Sequence, residues 1–135
     1  MSIRVSLRAI YFEQFQLAFN LASGITKADE GKAVTLDSSA ANTVKLAGDG
    51  DVVFGRLEVV EDREQEGSLV GTIAVKFSDR LPVKTGETIA IGDTVVGAGD
   101  GEVKARVDAE DEKAPDPHAN QVVEVDSGFV TVLKI

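Results

Sequence analysis

From Gly24 to its end the chain is cut into short apolar runs by Gly, Asp, Asn and Pro, a spacing that accommodates short strands and turns better than long helices. Ala33–Leu36 and Thr43–Leu46 read as two strands joined through Asp37–Asn42. Gly48-Asp49-Gly50-Asp51 reads as a turn into a strand over Val52–Val60, which the acidic stretch Glu61–Glu66 ends at the surface. Ser68–Phe77 is the longest strand candidate, with Leu69, Gly71, Ile73, Val75 and Phe77 on one face and a half-polar face opposite. Leu81-Pro82-Val83 reads as a separate edge piece, because proline has no N–H to donate to a ladder. Ile89–Ile91 and Thr94–Val96 flank Gly92-Asp93, and Gly97–Gly101 turns the chain toward Val103–Val107. Asp108–Asn120, acidic and interrupted by Pro115 and Pro117, has the composition of an exposed loop. The hairpin Gln121–Val125 and Phe129–Ile135 turns at Asp126-Ser127-Gly128.

The first two dozen residues follow another pattern. Ile3, Val5 and Leu7 alternate with Arg4, Ser6 and Arg8, as in a strand with one wet face. The phase slips through Ala9–Phe12 and resumes with Phe15, Leu17, Phe19 and Leu21. Phe12, Phe15 and Phe19 also fit a helical spacing, so strand and helix both remain open here. Glu13, Gln14, Gln16 and Asn20 break the apolar continuity that a signal peptide or a membrane span requires. The expected organisation is an extended N-terminal arm over residues 1–24 and one mainly β body over residues 25–135, a compact barrel-like or sandwich arrangement of short antiparallel strands.

Its 135 residues, 43% of them hydrophobic, suffice for a single core built mainly from Val, Ile, Leu and Ala. The formal charge of -9, with 14 scattered Lys and Arg against 23 Asp and Glu, argues against nucleic acid as a partner. No membrane partner is expected either. The absence of cysteine excludes disulfides and thiolate metal sites.

Candidate chemistry is sparse. His118 is the only histidine, lies beside two prolines in the acidic loop, and has no Gly-x-Ser-x-Gly elbow elsewhere to serve. Asp49, Asp51, Asp100 and Glu102 occupy Gly/Asp turns without the EF-hand spacing, so hairpin turns explain them better than calcium. Ile73-Ala74-Val75-Lys76 and Gly97-Ala98-Gly99 echo nucleotide-binding motifs, but no partner motif accompanies either. No catalytic residue, cofactor or metal is expected, and the chain reads as a non-enzyme. On the last strand Phe129, Leu133 and Ile135 lie on one face and Val130 and Val132 on the other. One face fills the body, and the second needs a cover from the same chain or from a neighbouring copy.

Gly31-Lys32-Ala33-Val34-Thr35-Leu36-Asp37, then Val44-Lys45-Leu46-Ala47 with Gly48-Asp49 and Phe54-Gly55, then Gly92-Asp93-Thr94-Val95-Val96 and Gly101-Glu102-Val103 follow an order of strands and glycines. Over residues 25–135 that order resembles the head decoration, or cement, proteins of tailed bacteriophages; the arm and the acidic stretch are longer than the family's compact pattern. The resemblance implies a β-barrel-like structural protein of the virion, made in the host cytoplasm. It would dock on the outer face of the mature capsid and staple neighbouring major capsid proteins against internal DNA pressure. Self-association, as a trimer in preference to a dimer, is implied too, and Phe129, Val130 and Val132 are its candidate residues. Capsid binding is assigned to the arm residues Ile3, Arg4, Val5, Leu7, Arg8, Tyr11, Phe12 and Phe15, which could add a strand to an edge on the capsid protein. The competing class, a surface ligand- or carbohydrate-binding β module, would need aromatic platforms on its loops, and those loops carry neither Trp nor Tyr.

Overall fold

The computed structural model describes residues 14–63, 68–106 and 120–135. Nine strands are present among them: β1 (Phe15–Leu21), β2 (Ala33–Leu36), β3 (Thr43–Leu46), β4 (Gly55–Arg63), β5 (Ser68–Pro82), β6 (Val95–Gly99), β7 (Glu102–Ala105), β8 (Gln121–Asp126) and β9 (Phe129–Lys134). A 3-10 turn at Lys27–Asp29 precedes β2. The Thr26 hydroxyl accepts from the Ala28 N–H while the Asp29 carboxylate accepts from the Thr26 N–H.

Strands β1, β3, β2, β4 and β5 pair in that order, and β5 pairs back with β1, so five strands close a small barrel. The closing seam is short and parallel, Asn20 opposite Thr43 and Leu21 opposite Val44, whereas the other four pairings are antiparallel. The interior holds Leu21, Val34, Val44, Leu57, Val60 and Ile73, with Ile25 from the following loop. Leu57 and Val60 both reach it, three residues apart, because a bulge between Leu57 and Val59 resets the alternation of β4.

A second core lies against the outside of this barrel. β5 continues beyond the barrel, and from Phe77 to Pro82 it pairs with β9, which pairs with β8. Phe77, Leu81, Val122, Val130 and Val132 pack there with Val95 and Val103 of the β6–β7 hairpin. Ala33 and Val34 are adjacent and both fully buried, one in each core, which explains why β2 is apolar on both faces. The β6–β7 hairpin crosses the 48–51 turn so closely that a Cβ at Gly97 would overlap the Gly48 carbonyl oxygen. Gly97 donates to the Asp51 carbonyl at 2.7 Å and accepts from Gly50 at 2.8 Å.

The start of β8 is latched by Asn120, whose side-chain amide imitates a neighbouring strand. Its Oδ1 accepts from the Val95 N–H at 2.8 Å, its Nδ2 donates to the Val95 carbonyl at 3.1 Å, and its own carbonyl accepts from Thr94 Oγ1 at 3.0 Å.

The mainly β, barrel-based body agrees with the sequence reading, and several boundaries move. Phe15–Leu21 is a barrel strand rather than arm or helix, so the body includes β1 and does not begin at residue 25. The strands are neither all short nor all antiparallel, since β5 has 15 residues and the β1–β3 seam is parallel. The strand expected over Val52–Val60 lies at Gly55–Arg63, Pro82 ends β5 instead of forming a separate piece, and Ile89–Ile91 is not a strand. Gly97–Gly99 belongs to β6, with the turn confined to Asp100 and Gly101 at φ 50° and 77°. Asn120, expected in an exposed loop, is buried. The 3–8 alternation, Ala9–Phe12, the residues Glu64–Gly67 at the acidic break, Val107 and the rest of the loop, 108–119, lie outside the described residues.

Candidate interaction surface

Seven of the eight expected capsid-binding residues, Ile3, Arg4, Val5, Leu7, Arg8, Tyr11 and Phe12, lie outside the described residues. The eighth, Phe15, opens β1 opposite Lys76 and is 55% exposed. Leu17, opposite the buried Ile73, is 43% exposed. Phe19 is half-buried and meets the Phe54 ring edge-on at 5.5 Å between centroids; Leu21 is buried. β1 therefore grades from an exposed apolar start to a buried end.

The expected self-association residues do not form one surface. Val130 and Val132 are buried in this chain's second core, so a second copy cannot touch their side chains without disrupting that core. On the opposite face of β9 only Thr131 is buried, while Leu133 is half-buried and Ile135 exposed. Phe129 remains partly exposed, with the Arg80 guanidinium 4.8 Å above its ring.

Phe129 and Arg80 belong to a cleft of about 310 Å³ that also takes in Pro82, Arg56, Lys32 and Gly31. Arg56 is fixed on several sides: Nε donates to the Arg80 carbonyl at 2.7 Å, Nη1 donates to Glu58 Oε2 at 2.5 Å and lies 3.4 Å from Asp79 Oδ2. Burial pushes the Glu58 carboxyl above the usual range, against the pull of Arg56. Lys32 Nζ bonds Asp29 Oδ1 at 2.9 Å. Burial works against the Asp29 carboxylate, but the Thr26 N–H and Lys32 outweigh it and hold its pKa below the ordinary value.

A second cleft, about 330 Å³, separates the Val83–Glu87 segment from the tip of the β8–β9 hairpin. Of the acidic turn residues, Asp51 caps its own turn by accepting from the Gly48 N–H, and Asp49 pairs with Lys104 at 2.6 Å. Among the described residues no three His, Cys, Asp or Glu side chains converge as metal ligands, and no helix is long and apolar enough to cross a membrane. His118 lies outside them.

The Arg56–Arg80–Phe129 cleft was not foreseen from the sequence. Its cations come from β4, β5 and the turn before β2, segments whose convergence no sequence pattern signals. No family model matches this chain, and no curated protein is similar to it.

Proposed function

We propose that this protein is a non-catalytic head decoration protein of a tailed bacteriophage, bound to the outer face of the capsid and joining neighbouring major capsid proteins. The reading rests on the family resemblance of residues 25–135, and one structural observation carries it further. The first barrel strand starts with exposed Phe15 and Leu17, directly after a segment with Arg4 and Arg8 against Glu13 alone. A rigid barrel offering an apolar, basic segment suits attachment by strand addition, and many weak contacts repeated over a lattice give strong retention through avidity. Assembly as a trimer, with a dimer as the alternative, belongs to the same proposal, through surfaces other than Val130 and Val132.

The test is charge reversal in the arm. Arg4→Glu with Arg8→Glu should leave a folded protein whose attachment to heads is weakened more at low salt than at high salt, because exposed charge interactions are screened. Attachment that is unchanged at low salt would remove the arm from the binding role.

A further inference from the structure

We propose that the cleft formed by Arg56, Arg80, Gly31, Pro82 and Phe129 is a binding site for a carboxylate carried on a flat apolar group. The proposal does not depend on the decoration reading.

The first support is a set of unused donors. Among the described residues the Arg80 guanidinium donates no hydrogen bond; it lies over the Phe129 ring at 4.8 Å. Arg56 spends Nε and Nη1 on Arg80, Glu58 and Asp79, while its Nη2 faces Gly31, 3.3 Å from where a Cβ there would stand. Gly31, at φ 95°, thus keeps the mouth of the cleft open beside that nitrogen. The Arg80 guanidinium offers a fork that matches the two oxygens of a carboxylate, and Arg56, already fixed on its other side, adds one further donor through Nη2, so little ordering remains to oppose binding.

The second support is the shape and charge of the walls. Phe129 and Pro82 offer flat apolar surface beside the donors. Lys32, Arg56 and Arg80 line the cleft against Glu30 alone, on a chain of net charge -9, and one Glu30 oxygen is occupied by the Val60 N–H at 2.8 Å. Asp29, Glu58 and Asp79 behind the lining neutralise Lys32 and one side of Arg56. With Glu30 these neighbours set four carboxylates around three cations, so a ligand's second negative charge meets no surplus of positive charge, whereas a single carboxylate can be held by directed hydrogen bonds from the guanidinium groups. The site therefore selects a monoanion.

Benzoate is the probe, with acetate, inorganic phosphate and the neutral benzamide as comparisons, each titrated into the full-length protein and followed by NMR. Benzoate should give saturable shifts at Arg80 and Phe129 and bind more tightly than the other three. Arg80→Ala should weaken it roughly tenfold, because the main-chain carbonyl that anchors Arg56 is retained. Arg80→Lys, which keeps the charge without the fork, should weaken it as well. Phe129→Leu should reduce benzoate binding more than acetate binding. Benzamide or phosphate binding as well as benzoate, or benzoate shifts that are non-saturable or unchanged in folded Arg80→Lys, would overturn the proposal.

Discussion

Asn120 shows how one polar side chain can hold a join that backbone pairing leaves open. Both of its amide atoms are used on Val95, and all of these groups are buried. Asn120→Ala would leave the Val95 N–H and carbonyl without partners, at roughly 1–3 kcal/mol for each orphaned group. Urea unfolding should show that loss as a lower midpoint with an unchanged slope. Glu58 makes a different residue-scale prediction. Burial raises its native pKa above the ordinary value of 4.5, so between 4.5 and the raised value the native state holds more protons than the unfolded state. Stability from this group must then fall as pH rises through that window, and be regained as pH falls. Glu58→Gln removes the titrating group. Relative to that variant, the wild type should gain stability as pH is lowered from neutrality toward about 4.5, as read from urea midpoints across the range. A difference between the two proteins that does not change with pH would contradict the assignment.

Elements bounded by Gly, Asp and Asn on both sides were legible in the sequence. β2, β3 and the β8–β9 hairpin fall at or within a residue of where alternation and turn residues place them. β4 was shifted because Val52-Val53-Phe54 extends its apolar run, although Val53 belongs to the second core before the strand begins. β5 was cut at Phe77, and Leu81-Pro82-Val83 set apart as an edge piece, because proline cannot donate to a central ladder, whereas Pro82 is the last residue of one continuous strand. Gly97 and Gly99 look like turn residues, yet Gly97 is in β6 because backbone passes too close for a side chain. The parallel β1–β3 seam and the arginine cleft were not legible at all, since each joins segments whose proximity depends on barrel closure. That closure makes β1 indispensable. A protein lacking residues 2–21 should lose the seam, the β1–β5 ladder and Leu21 from the core, and so fail to give a cooperative thermal transition. A sharp transition near the wild-type temperature would show that the barrel does not need its first strand.

At the scale of the molecule, the described residues form a closed five-stranded barrel with a second core on its flank, and β5 runs through both. Because β2 also serves both cores and Asn120 ties β8 to β6, the two parts should behave as one body. Such a body can carry load between attachment points without rearranging, which is what a capsid staple requires. Neither cleft is lined by Phe15 or Leu17, so binding small carboxylates and attaching to a lattice can be separated by mutation. The most direct measurement mixes the purified protein with mature phage heads prepared without it and separates bound from free protein by sedimentation. The account predicts saturable co-sedimentation with the heads, together with increased resistance of those heads to heat-induced loss of DNA. Protein that stays in the supernatant, with heads no more resistant than before, would contradict the decoration function.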